Sequence, residues 1–278
     1  MKVNLDIPKN KQFQSFYLFA ILVSVTTGVE MIGTPRIIFL EAGHDAWISV
    51  IISYLLIVLL LFIMLYILKQ YENADILGIH ADLFGNFIAK LVGTLYFFHF
   101  STELFAALLI YIEIIKVFIF PDSNSFILGL MLISLIIYTV LGGLRVVIGV
   151  CFIFMICSYW LVFLLIDPLR QMELINFLPI MDRMMITIPR AVILMWCIIY
   201  ILKRIYNIPK KISLYTTLGI VMALIPFIRQ YYDIQTIIEI SKYFDMGIVY
   251  IYPLILLPIV IIKQKIKKKR GGKQHAES

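Results

Sequence analysis

The stretch AWISVIISYLLIVLLLFIMLYIL, from Ala46 to Leu68, decides the fold class. It contains no charged side chain, and a helix of roughly 20 apolar residues crosses the hydrocarbon core of a bilayer. The whole chain is similarly apolar, since 62% of its 278 residues are hydrophobic and only 15% are charged. A soluble domain of this length would need far more polar surface. The sequence therefore predicts an all-α polytopic membrane protein.

Further apolar blocks along the chain predict eight transmembrane helices. These lie near residues 13–32, 46–69, 86–118, 124–144, 146–167, 187–203, 211–228 and 246–263. The sixth is the weakest, because extending it to full length admits Pro189 and Arg190. Between the last two spans, Ile234, Ile237 and Ile238 share one helical face, which predicts an interfacial helix within 229–245.

The distribution of lysine and arginine orients this arrangement, because short cytoplasmic loops are rich in both. With eight spans, the basic N-terminus, the Lys69–Lys90 connection, the basic residues of 203–211 and the Lys-rich tail fall on one side. We expect one transmembrane domain, 1–278, with a basic cytoplasmic tail at 264–278 and both termini in the cytoplasm. The first apolar stretch lacks a small-residue cleavage site, so we interpret it as a retained span.

Several chemistries are not expected. Cys151, Cys157 and Cys197 lie in apolar runs without metal-ligand or disulfide spacing, which is typical of packing cysteines. No nucleophile, base and orienting group occur together, so we expect no enzymatic activity, no metal and no other cofactor. The net charge of +7 is concentrated near the tail, which predicts contact with anionic lipid rather than nucleic acid.

The first span ends in an unusual segment, VEMIGTPR, at residues 29–36. Proline removes a backbone donor and glycine weakens a helix, so the span is predicted to break here. Transporters use such breaks at membrane depth to bind substrate through freed backbone groups. This predicts substrate contacts from five residues at or before the break: Thr26, Thr27, Gly28, Glu30 and Gly33. The alternative is that Gly33 and Pro35 only end the span.

The third span carries charged residues within an apolar segment. Tyr96, His99 and Glu103 lie along one stripe of the predicted helix, and His99 and Glu103 are four residues apart, close enough to pair. A charge in the bilayer costs roughly 2.5–3.5 kcal/mol on insertion scales, so such residues usually face the interior of a bundle. The stripe lines a substrate cavity in one interpretation and only holds helices together in the other.

One long segment makes the sequence recognisable. VEMIGTPRIIFLEAGHDAWIS, from Val29 to Ser49, resembles the spore germination permease family, the B subunits of endospore germinant receptors and relatives of amino-acid and polyamine permeases. INFLPIMD, from Ile175 to Asp182, is similar to the family's N-L-L-P segment, and the stretch from about Pro209 onward is also similar.

This resemblance implies a LeuT-like bundle of ten helices in two inverted repeats, located in the spore inner membrane. It implies an A-type and a lipoprotein C-type subunit as partners, and a small nutrient such as an amino acid as ligand. The ligand is expected near the broken first and sixth helices, with help from the third and eighth. On this chain, that implies contacts from the Thr26–Gly33 break, from the Tyr96–Glu103 stripe and from Trp196.

The chain departs from the family pattern, because it has eight predicted spans rather than ten. Arg190–Asn207, which contains Trp196, resembles the family's eighth helix, so the sixth and seventh are expected to be missing. Three functions follow. The first is nutrient sensing within a germinant receptor; the second is proton-coupled amino-acid transport, with Glu103 or Glu30 titrating. The third is a shortened scaffold, or a degenerate copy, that binds no ligand.

Overall fold

The computed structural model describes residues 14–26, 38–40, 42–71, 75–165, 178–227 and 231–274. Nine α-helices occur within these ranges, and the described chain contains no β-strand, which confirms the all-α prediction. They are α1 (Ser15–Thr26), α2 (Ala46–Gln70), α3 (Ile76–Phe118), α4 (Ser125–Leu141), α5 (Leu144–Leu165), α6 (Leu178–Tyr206), α7 (Lys210–Leu224), α8 (Tyr231–Phe244) and α9 (Tyr252–Gln274).

A helix lies at each of the eight predicted spans, and α8 occupies the place of the predicted interfacial helix. Among the described residues, three helical segments are long and apolar enough to cross a membrane. They are Gly43–Gln70, Lys210–Phe227 and Glu239–Lys265, and three shorter apolar helices accompany them. The prediction of a polytopic helical membrane protein is therefore confirmed.

Local sequence explains where several helices end. In α3, Gly85 has φ +85° and ψ 170°, which interrupts the helix one residue before the predicted third span begins. Gly143, with φ +94°, separates α4 from α5. Asn207, with φ +55°, closes α6, and the N–H of Ile208 donates to the carbonyl of Leu202. The N–H of Asn207 donates to the carbonyl of Lys203 at 3.1 Å, as in the αL motif of helix ends, and Pro209 follows it as expected.

One helix differs from its prediction. The sixth span was expected at 187–203, whereas α6 runs from Leu178 to Tyr206 and contains both Pro189 and Arg190. Proline weakens a helix because it removes one backbone donor, but neighbouring helices tolerate it in a membrane bundle. Arg190 is accommodated by a partner on another helix, described below.

The chain divides into two compact units, and each has its own apolar core. Of the described residues, the first comprises 38–40, 42–71, 75–96 and 240–274, and its core joins α2, the first part of α3 and α9. The second comprises the described residues 14–26, 97–165, 178–227 and 231–239. Its larger core is formed by the rest of α3 with α4, α6 and α7, while α1 packs on α5 and α6.

Candidate functional site

An ion pair between α3 and α6 is the most notable polar contact of the second unit. Arg190 Nη2 lies 2.5 Å from Glu103 Oε2, and the two side chains are 21% and 13% exposed. Their neighbours in sequence, Leu104, Ala191 and Val192, are buried apolar residues. The pair therefore joins two opposite charges inside an apolar helix contact.

The energetics explain why these residues occur together. An unpaired Glu103 or Arg190 in the hydrocarbon region would cost roughly 2.5–3.5 kcal/mol on insertion scales. Pairing cancels the net charge, and guanidinium also offers several donors in a fixed plane that matches a carboxylate. The same donors and acceptors are complementary to a ligand that carries one carboxylate and one ammonium group.

Pro189 lies next to the arginine and is buried within α6. Because it has no N–H, it cannot donate to the carbonyl one turn earlier in the helix. Sharp bends in helices usually occur at such residues. The Arg190 side chain is thus carried by a weakened point of α6.

The residues of the predicted stripe on α3 belong to different units. Glu103 pairs with Arg190. His99 is buried and interacts electrostatically with the Glu103 carboxylate. Its ring contacts the ring of Phe100 at a centroid distance of 5.1 Å. Tyr96 is half-buried and belongs to the first unit. Within the second unit, the structure therefore brings together His99, Glu103 and a partner that the sequence did not predict.

A small cavity lies near the pair in the core of the second unit. It has a volume of about 10 Å³ and is lined by residues that include Leu108, Tyr111, Thr187, Ile188 and Ala191. That volume is about the minimum for a single water molecule. Pockets for small molecules usually measure about 300–1,000 Å³. This cavity is therefore too small to hold a nutrient.

Trp196, predicted as a substrate contact, lies beside Lys210, and its predicted role stays a prediction. The Nζ atom of Lys210 lies 4.8 Å from the centre of its ring and donates to the carbonyl of Val140 at 2.6 Å. Lys210 thus adds a charged donor to a carbonyl at the C-terminal end of α4, which also accepts from the N–H of Gly143 at 3.1 Å. Trp196 is six residues from Arg190 on α6, which is about 9 Å of helical rise. Its ring supports this Lys210 contact.

The proposed break in the first span lies largely outside the described residues. This applies to Thr27, Gly28, Glu30 and Gly33, whose role as substrate contacts stays a prediction. Thr26 is the last residue of α1. Two residues before that end, Ser24 Oγ donates to the carbonyl of Ala20 at 2.8 Å.

The first unit holds a separate polar cluster where α2 ends. Tyr71 Oη donates to Asp82 Oδ2 at 3.1 Å, and Lys263 Nζ lies 3.3 Å from the same oxygen. Gln264 Nε2 donates to the carbonyl of Gln70 at 3.2 Å. Burial raises the pKa of the Tyr71 hydroxyl, and the negative charge of Asp82 raises it further. Tyr71 therefore acts as a hydrogen-bond donor that fixes Asp82 beside Lys263.

His80 lies in the same unit and is fully buried. Its ring stacks on Tyr252 with a centroid distance of 5.4 Å and an interplanar angle of 11°, and its Nδ1 is hydrogen-bonded with the carbonyl of Ile76. Within the described chain, His80 Nε2 has no hydrogen-bond partner. Burial lowers the pKa of this imidazole, because a charged ring here would be poorly solvated.

Sequence reasoning missed Arg190 as the partner of Glu103, Lys210 as the partner of Trp196, and the Asp82–Lys263 pair. The signal for Arg190 was its charge, since it and Glu103 are opposite charges in two spans of a chain that must neutralise both. The two are 87 residues apart, so no spacing rule connects them.

The sequence was then compared with known proteins. Residues 12–188, more than half of the chain, match the family described as "Spore germination protein". The chain belongs to this family. Among curated proteins, "Spore germination protein GerQB" of Bacillus cereus is 30% identical over 175 residues. That alignment covers 63% of this chain and 48% of GerQB, so the chain spans about half the length of this relative. No solved structure matches it.

The family match confirms the resemblance noted in the sequence. It ends at residue 188, two residues before Arg190. Two resemblances therefore stay predictions. They are that of the stretch from Pro209 onward to the family, and that of Arg190–Asn207 to the family's eighth helix. The chain is a helical membrane protein of the spore germination protein family.

Proposed function

We propose that this protein is a nutrient-sensing integral membrane subunit of a spore germinant receptor, and that its ligand is an amino acid. The Glu103–Arg190 ion pair is the observation that carries the ligand class. Membership in the spore germination protein family supports the role in germination. An amino acid is a zwitterion, so it supplies one carboxylate for Arg190 and one ammonium group for Glu103.

Ligand binding would exchange one ion pair for two. The guanidinium of Arg190 would donate to the ligand carboxylate, while the carboxylate of Glu103 would accept from the ligand ammonium. The site would remain neutral overall, which avoids the cost of a net charge in the hydrocarbon region. The exchange requires α3 and α6 to separate, and bending at Pro189 is the movement that we propose. A ligand-dependent movement of α6 is also what a sensor must pass to other subunits.

The partners and the location follow from the same proposal. The protein would act with an A-type subunit and a lipoprotein C-type subunit in the spore inner membrane, with both termini in the cytoplasm. Sensing requires binding but no turnover, so we propose no enzymatic activity. Proton-coupled transport is the main alternative, with Glu103 as the group that takes up the proton.

A scaffold without a ligand is a second candidate, favoured by the direct 2.5 Å contact and the cavity of about 10 Å³ beside it. In that case the pair would only hold α3 to α6. Substitutions at the pair would then alter the amount of assembled protein but not the nutrient response of the protein that remains.

Spores that carry variant copies of this gene test the proposal. Germination is followed as the loss of optical density after addition of single amino acids, and the amount of protein in the spore membrane is measured in parallel. We expect Arg190→Gln to abolish the response to a nutrient that acts through this protein, whereas Lys242→Gln, at an exposed residue, keeps it. An unchanged response in Arg190→Gln at equal protein amount would contradict the proposal.

Uptake of the labelled nutrient into vesicles separates sensing from transport. We expect no accumulation above that of empty vesicles. Accumulation that depends on a proton gradient and is lost in Glu103→Gln would establish the transport alternative instead.

A further inference from the structure

We propose that the groove between α2 and α9 binds one anionic phospholipid of the surrounding bilayer. The groove has a volume of about 570 Å³. It is lined by apolar side chains, among them Phe62 and Leu65 of α2 and Leu257 and Ile261 of α9, and its one basic lining residue is Lys69. Both helices belong to the first unit.

The C-terminal end of α2 lies beside the middle of α9. Gln264 of α9 donates to the carbonyl of Gln70 at the end of α2, which fixes the register between them. Lys263, next to Gln264, forms an ion pair with Asp82 at 3.3 Å, so we do not count it among the cations of the groove. This contact aligns the apolar groove with the basic end of both helices.

Helical spacing puts one lysine of each helix at that end. Lys69 lies four residues after Leu65, and Lys265 lies four residues after Ile261. Because residues four apart are neighbours on one face of a helix, each lysine extends the face that lines the groove. Both lysines are exposed. The apolar groove therefore has two lysine ammonium groups at one end.

This pattern matches the chemistry of a phospholipid with an acidic headgroup. An acyl chain needs an extended apolar groove, and a phosphate next to it needs cations at the interface. The lysine distribution predicts that this end of the helices is cytoplasmic, where anionic lipid attracts basic residues. A neutral lipid would fill the groove but leave the two lysines without a counter-charge.

Native mass spectrometry of the full chain tests the site. The protein is reconstituted in a bilayer of equal parts phosphatidylglycerol and phosphatidylcholine, released in mild detergent, and the retained lipids are counted. We expect one phosphatidylglycerol to be retained by the wild type. In Lys69→Gln/Lys265→Gln, we expect retention to fall at least about fivefold, which corresponds to about 1 kcal/mol. Lys90→Gln/Lys242→Gln removes two exposed lysines outside the groove lining and should retain the lipid.

A second pair of variants separates the groove from simple attraction to the basic tail. Leu257→Trp fills the groove without changing any charge, whereas Ile255→Trp adds the same ring at an exposed position on another face of α9. We expect lipid to be lost only in Leu257→Trp. Equal retention in these two variants, equal retention of both lipids by the wild type, or no effect of the Lys69/Lys265 substitutions would overturn the proposal.

Discussion

Glu103 and Arg190 show that a charged side chain among apolar helices requires an opposite charge beside it. Either residue alone would be unfavourable among the apolar neighbours of α3 and α6, and the 2.5 Å contact between them removes that cost. Such a pair contributes little net stability compared with an apolar pair, yet loss of one partner is severe because the other charge stays buried. The two residues should therefore be judged together.

Glu103→Gln and Arg190→Gln are each expected to destabilise the protein by about 3–5 kcal/mol, because each removes the ion-pair partner of a largely buried charge. The double variant removes both charges and should be more stable than either single variant. Unfolding of the purified protein in detergent measures all three.

Lys211→Gln, at an exposed residue of α7, is the control and should leave stability unchanged. Additive losses in the double variant would mean that the two side chains do not interact in the folded protein.

His80 gives a pH dependence whose sign follows from its burial. The pKa of its imidazole is lowered from 6.5 in the folded protein, so the unfolded chain binds a proton that the folded one does not. Stability due to neutral His80 is complete above about pH 6.5 and is lost as pH falls through the folded-state pKa. His80→Phe keeps a ring against Tyr252 but cannot titrate. We expect its unfolding temperature to fall less than that of the wild type between about pH 8 and pH 5.

Tyr252→Phe is the matched control, since it keeps both His80 and the stacked ring. Its pH profile should follow the wild type. Parallel profiles for the wild type and His80→Phe would show that His80 does not control this dependence.

At the scale of helices, close packing of α4 depends on Gly129. A Cβ atom at this position would lie 2.7 Å from Ile225 Cδ1 and 3.6 Å from both Ile112 Cδ1 and Met222 Sδ. Gly129→Leu should therefore force α4 away from α3 and α7 and destabilise the protein by about 1–3 kcal/mol. Thermal unfolding in detergent measures the loss.

Gly219 of α7 provides the matched control, because no atom lies within 4 Å of its Cβ position. Gly219→Leu should be neutral or stabilising by up to about 1 kcal/mol, since leucine favours helix more than glycine does. Equal destabilisation by both substitutions would indicate that helix glycines act here by something other than packing.

The sequence predicted helix positions well because the signals are local. Helices are interrupted, end or begin where the backbone of a single residue favours it. Examples are the positive φ of Gly85 and Gly143, and Pro209 directly before α7. The sixth span was predicted as the weakest because Arg190 is unfavourable in an apolar helix unless a partner is known. That partner, Glu103, lies 87 residues earlier, and periodicity within one helix carries no information about it.

At the scale of the whole molecule, the sequence also indicated individual residues of the candidate site but not their partners on other helices. Glu103 was predicted as a member of a polar stripe, because an acidic residue in an apolar span indicates a special environment. Trp196 was predicted as a ligand contact, which stays a prediction, and its ring faces Lys210, a residue that follows the turn at Asn207. Which helices meet is a property of the tertiary fold, so the partners of both side chains emerged only from the structure.

The most direct measurement is thermal stability of the purified protein against amino acids and against analogues that lack one charge. A ligand that binds only the folded state raises stability with concentration until it saturates. We predict that at least one amino acid stabilises the wild type, that its amine and acid analogues do not, and that Arg190→Gln loses the effect. An equal shift from a single-charge analogue, an unchanged shift in Arg190→Gln, or no shift with any amino acid would contradict a zwitterion site at Glu103 and Arg190.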